Sequence, residues 1–245
     1  MAEEESVPMA VPVLLSVLAG YVDSCTFLAL FGLFVAQVTG SFVLTGTQLV
    51  AHESGGLMKT LAIPVFFAAC IVTTVLMRRR GAKPRSALAA ALTLETGLLI
   101  GLFVALCAGE PLRGPDTPAA ICAAVFGLCA MGVQGALVRL VARGFPSTNV
   151  MTTNTVQLAI DATELAMAWR AHRRAPADAD AAAAYARVKQ RTNHLWPIVL
   201  GFLVGTITGA LAFARFQVWC ILAAIALAAA LALWTGHCAR SEASA

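Results

Sequence analysis

The chain has 245 residues, 59% hydrophobic and 12% charged, with a mean hydropathy of +0.80. A soluble globular domain carries about a quarter charged residues, so this composition excludes one. The net charge of +4 brings no basic stripe interleaved with aromatics, which excludes nucleic acid as the expected partner.

The start, MAEEESVP, is acidic and lacks the basic n-region of a signal peptide, so the first apolar run is expected to be retained. Six apolar runs follow, near Val11–Phe31, Leu61–Met77, Ala87–Cys107, Ala119–Leu140, Leu195–Phe213 and Val218–Trp234. Each is close to the ~20 residues that cross a hydrocarbon core of about 30 Å. The expected fold class is an all-α polytopic membrane protein of about six transmembrane helices.

The first run carries Asp23 near its midpoint. A lone carboxylate at that depth costs about 2.5–3.5 kcal/mol on the insertion scale, so it should face the bundle interior. A polar segment, 35–52, comes next, with Gln37, Thr39, Ser41, Thr45 and Gln48; Gln37, Ser41, Thr45 and Gln48 share one helical face, interrupted by Gly40 and Gly46. Pro64 suggests the first turn of the second span. That span ends in the basic run Arg78–Arg85, and the third carries Glu95. The Pro- and Gly-rich stretch around Pro111–Pro118 marks the centre of the molecule. The fourth span brings Gln134 and, near its end, Arg139, a candidate charge partner for Asp23 or Asp161.

A second polar segment, 145–164, then reads FPSTNVMTTNTVQLAIDATE. Asn149, Thr153, Gln157 and Asp161 fall at successive i+4 steps and form one stripe on a helix. Asn154 adds a second amide. Pro146 suits a helix start, with Ser147, Thr148 and Asn149 as caps. Glu164 belongs at the interface. Residues 170–194 read as a basic loop holding a short Ala-rich surface helix. In the fifth span Gly201, Gly205 and Gly209 recur every four residues, a packing face that would also suit a homo-oligomer.

The two halves repeat one plan: 1–110 holds spans one to three and polar segment 35–52, and 111–245 holds spans four to six and polar segment 145–164. Thr39-Gly40-Ser41 answers to Thr152-Thr153-Asn154. Charge sets the topology. If both polar segments crossed fully, three crossings would separate the two basic stretches and put one of them outside, against the positive-inside tendency. If each is re-entrant or broken, both stretches and both termini lie in the cytoplasm, and Lys59, Arg113 and Arg215 lie outside. Three crossings per half make an inverted repeat. Eight full crossings is the alternative.

AGYVDSCTFLALFGLFVAQVTGS, followed by AMGVQGALVRL and STNVMTTNTVQLAID, resembles the YoaK family, also called DUF1275 or UPF0700. The resemblance covers nearly the whole chain and implies a bacterial integral membrane protein of unassigned function, in the cytoplasmic membrane. The family pattern has Thr-Gly-Asn in both polar segments; here Ser41 replaces the Asn of the first and Thr153 the Gly of the second.

Paired polar segments at matching places point to a transporter for a small molecule or ion, whose path candidates are Asp23, Gln37, Thr39, Ser41, Thr45, Gln134, Asn149, Thr153, Asn154, Gln157 and Asp161. The same groups could instead serve as interhelical hydrogen-bond glue in a non-transporting scaffold or partner subunit. No enzyme is expected: His52, His172, His194 and His237 lie outside or at the edge of the spans, and no HExxH, GxSxG or phosphate-binding loop occurs. No cofactor or metal is expected either. The seven cysteines form no CxxC and read as buried thiols.

Overall fold

The structure is a computed structural model and describes residues 8–51, 56–80, 84–141, 146–176 and 178–243. His52, Lys83, Phe145 and the acidic start therefore lie outside the described residues, as does the Gln48 side chain. The described elements are α-helices: α1 (Ala10–Ala29), α2 (Thr39–Ala51), α3 (Gly56–Arg80), α4 (Pro84–Ala108), α5 (Pro118–Val141), α6 (Met151–Arg174), α7 (Ala179–Phe216) and α8 (Ile221–Ala243). A 3-10 turn, Gln217–Cys220, links the last two. Four stretches, one each in α1, α3, α4 and α5, are long and apolar enough to cross a membrane; a fifth, Ala179–Ala239, is 61 residues long and holds both α7 and α8. The chain is an all-α polytopic membrane protein.

Small residues set the tightest crossing. Gly201, Gly205 and Gly209 of α7 meet Val13, Val17 and Tyr21 of α1, and a Cβ on Gly209 would sit 2.5 Å from the Tyr21 carbonyl oxygen. The matched order makes α1 and α7 parallel. Close backbone approach is what small-xxx-small spacing permits in lipid. This glycine face is therefore occupied by α1 within the chain.

The other directions follow from paired contacts. Val35, held at Asp23, packs on Gly127, whereas Gln134 bonds the Leu15 carbonyl, so α5 runs antiparallel to α1. Gly109 meets Ala119 and Gly101 meets Phe126, which makes α4 antiparallel to α5. Ala89 faces Gly236 while Phe103 meets Trp219, which makes α8 antiparallel to α4. The start of α1, the link from α3 to α4, the link from α6 to α7 and the end of α8 thus share one side, hereafter the basic side.

Neither polar segment crosses. The helix α1 stops where Phe31 and Gly32 adopt positive φ, 54° and 86°, and the Gly32 N–H closes the end on the Phe27 carbonyl at 2.9 Å. Residues 33–38 then fold back along α1 to the level of Asp23 before α2 begins. After α5, Thr148 and Asn149 likewise return to the level of Gln134 and Met131. The next helix, α6, leaves towards the side on which α5 ended, antiparallel to α7, with Asp161 and Glu164 beside Arg191. Both segments are re-entrant.

Three sequence expectations need correction. Residues 170–194 are not a loop with a short helix: α6 runs to Arg174 and the 38-residue α7 starts at Ala179. At 1.5 Å per residue α7 is about 57 Å long, so its first half projects beyond the membrane with the second half of α6. Pro64 lies in the interior of α3, which already begins at Gly56. Residues Ser147–Asn149 do not cap a helix, since α6 opens at Met151 behind Val150, which makes no side-chain cap bond.

Candidate functional site

Asp23 is buried on the inner face of α1. Its Oδ1 accepts hydrogen bonds from the backbone N–H groups of Val35 and Ala36, both at 2.8 Å. A returning loop inside a membrane has donors with no water to satisfy them, and a carboxylate is the strongest acceptor available. Asp23 therefore holds the first re-entrant loop in place.

Gln134 does the same work in the second half. Its Nε2 donates to the Thr148 hydroxyl at 3.1 Å and to the Leu15 carbonyl at 2.9 Å. The Thr148 hydroxyl donates to Asn149 Oδ1 at 3.0 Å, and Asn149 Nδ2 donates to the Met131 carbonyl at 3.3 Å. Asn154, in the first turn of α6, donates to the Ser147 carbonyl at 2.7 Å. Its counterpart in the first turn of α2, Ser41, is fully buried and its hydroxyl has no partner. A serine side chain is too short for the reach that Asn154 makes.

Asp161 is fully buried between α6 and α7. Its Oδ1 accepts from Gln157 Nε2 at 2.7 Å and pairs with Arg191 at 2.7 Å, while Oδ2 has no partner. Arg191 also pairs with the exposed Glu164. Arg139 is the wrong partner: it is exposed near the end of α5 and, among the described residues, pairs with neither carboxylate. Arg191 escaped the sequence reading because it lies in a stretch read as loop. Only the α6–α7 hairpin brings it to Asp161.

Two cavities border these groups. One of about 500 Å³ lies between α6 and α7, lined by Thr153, Asn154, Gln157 and Asp161 on one wall and Arg187, Gln190, Arg191 and His194 on the other, with Pro146 and Leu195 at its inner end. The other, about 260 Å³, lies between α1, the first re-entrant loop and α7, with Asp23 and Gln37 facing Phe202 and Thr206. The structure thus gathers Thr153, Asn154, Gln157 and Asp161 at one site and Asp23 with Gln37 at another. The buried Gln134 and the half-buried Asn149 line neither of these two cavities. Thr45 is set apart, donating to the Lys59 carbonyl at 3.3 Å, and Thr39 is exposed at the start of α2.

The larger cavity is rich in donors and opens on the basic side, so it suits a small polar or anionic solute. Among the described residues no group of three or more His, Cys, Asp or Glu is arranged to hold a metal ion. A family model described as protein of unknown function, DUF1275, matches residues 11–234. No curated protein and no solved structure matches the chain.

Proposed function

The chain belongs to the DUF1275 family, whose description names no activity, and from that premise we propose that it is a membrane transporter for a small polar solute or ion. The reading is of two inverted repeats, α1–α4 and α5–α8, that rock about a shared seam. The observation that carries it is the pairing of two re-entrant segments, each pinned at depth by a buried polar side chain of the preceding span, Asp23 for the first and Gln134 for the second.

The helix partners support the repeat. Exchanging the halves turns the α1–α7 contact into α5–α3, α2–α3 into α6–α7 and α4–α5 into α8–α1, and all six contacts are present. It leaves α4–α8 and α1–α5 mapped on themselves, and these also exist. Interrupted segments at corresponding places of two such halves are where transporter sites are found. The polar cavity beside α6 is the proposed entrance for solute. The basic residues around it, with Arg78 and Arg79 at the end of α3, support the reading that this side faces the cytoplasm in a bacterial inner membrane. No catalysis and no cofactor enter this reading.

The test is flux in proteoliposomes, with a panel of amino acids, organic anions and monovalent cations. Solute movement above that of protein-free liposomes, reduced at least tenfold by Asn154→Trp in the cavity wall, is expected. Movement equal to protein-free liposomes across the panel overturns the proposal. A second reading, a non-transporting scaffold, is favoured by one observation: Asp23, Gln134 and Asn154 all spend hydrogen bonds on the protein's own loops. It expects no flux and a partner protein bound to the projecting α6–α7 hairpin.

A further inference from the structure

Glu95 stands apart from every polar group described so far. It sits in the middle of α4, on a seam otherwise built from Leu88, Leu92, Leu99, Leu102 and Leu106, all buried. It is fully buried, and neither carboxyl oxygen has a hydrogen-bond partner. On the α8 side it lies between the Ala89–Gly236 and Phe103–Trp219 contacts, that is, at the centre of the α4–α8 seam. On the α5 side the register of Gly101 on Phe126 and Gly109 on Ala119 brings it to the depth of Gln134, whose own Oε1 is buried and unpartnered.

Among the described residues, no charged side chain of a packed helix pairs with it. The one charge on α5, Arg139, is exposed near the far end of that helix, and His237, Arg240 and Glu242 all fall in the last turns of α8. The basic run of α3 lies at the membrane boundary. An ionised carboxylate with neither counter-ion nor donor is the costliest group a bilayer interior can hold. A metal ion would need several ligands around it, and among the described residues no group of three or more His, Cys, Asp or Glu is arranged to hold one. A proton needs no such group. A side chain that bonds to nothing is also no glue, so the scaffold role that explains Asp23 does not explain Glu95.

We propose that Glu95 is a proton-binding site, a neutral carboxylic acid at the centre of the bundle that gives up its proton when the α4–α8 seam opens. The chemistry is a simple exchange. The carboxylate takes a proton from water on one side and returns it to water on the other, with no bond to any other group broken. That the seam opens rests on the transporter reading, because α4–α8 is a contact the two halves make with each other. The bound proton itself does not rest on that reading.

Infrared spectra of the full chain in lipid at neutral pH test the site. The wild type is expected to show a carbonyl stretch of a protonated carboxylic acid that shifts in heavy water, and Glu95→Gln to lose it. Glu95→Leu is expected to lose the band too and to unfold at a higher temperature than the wild type, since it removes an unpartnered polar group from a leucine seam. A spectrum in which Glu95→Gln takes nothing from that band overturns the proposal, as does a Glu95→Leu protein less stable than the wild type, which would reveal a bonded partner. The band is read without any flux. Its absence removes the proton site and leaves the transporter standing, whereas a present band with a wild type that moves no solute removes the transporter and leaves the site.

Discussion

A carboxylate whose one oxygen takes two backbone N–H groups behaves differently under substitution from one that must exchange a proton. Asp23 is of the first kind. An asparagine keeps an oxygen at Oδ1 and can accept both bonds, so Asp23→Asn should fold, with a loss of about 1 kcal/mol for replacing charge-assisted bonds by neutral ones. Alanine leaves two buried donors unpaired, at about 1–3 kcal/mol each. Thermal unfolding in detergent should therefore rank the three proteins as wild type, then Asn, then Ala, with the larger step at Ala. Equal losses for Asn and Ala would mean that the negative charge, not the acceptor, is what the loop needs. The same comparison separates Asp23 from Asp161, where Arg191 supplies a true counter-ion. Asp161→Asn should cost more than Asp23→Asn, because it strands Arg191 with Glu164 alone.

Among elements, the re-entrant segments differ in one bond. Asn154 ties the first turn of α6 to Ser147 seven residues earlier, and Ser41 opens α2 with an idle hydroxyl. Ser41→Asn should restore the matching bond to the carbonyl of Phe34 and raise stability by about 1 kcal/mol, and Asn154→Ser should lower it by a similar or larger amount. A destabilised Ser41→Asn would show that the packing at α2 has closed over the missing amide. The α1–α7 crossing is less forgiving. A methyl on Gly205 would overlap the Val17 carbonyl oxygen, backbone against backbone, with no rotamer to relieve it. Gly205→Ala should therefore cost at least the 1–3 kcal/mol typical of overpacking, against almost nothing for Gly46→Ala, where nothing lies within 4 Å. These elements were legible to different degrees. Apolar runs and the Gly201–Gly209 repeat mark their helices because burial in lipid is a property of composition and spacing. The join of α6 to α7 was hidden, since Ala175–Asp178 is a four-residue link between two helices whose facing halves are polar and project into water. Asp161 and Arg191 meet through that link, thirty positions apart, and no periodicity within either helix records it. Glu95 was visible as an intramembrane carboxylate, but its lack of any partner is a fact of packing alone.

At the scale of the whole molecule, the reversal of the second half in the membrane can be read from outside. The structure places the turn between α4 and α5 on the side opposite the link between α6 and α7, with one crossing, α5, between them. The fold-back of residues 146–150 to Gln134 and Met131 makes that count odd. Were α6 to run through the bilayer, two crossings would lie between them and both turns would share a side. The charges give the sign. The α6–α7 link is flanked by Arg170, Arg173, Arg174, Arg187, Lys189 and Arg191, whereas the α4–α5 turn carries only Arg113. Basic loops stay in the cytoplasm. In a background with all seven native cysteines replaced, Gly114→Cys should react with a membrane-impermeant thiol reagent in intact cells. Asp180→Cys should stay unlabelled until the membrane is opened with detergent. Reaction at both positions would mean that α6 crosses, and that the return to Gln134 does not hold in the membrane. Labelling of Asp180→Cys alone would keep the re-entrant fold and invert it, placing the polar cavity beside α6 on the outer face, where it would meet solute before the cytoplasm does.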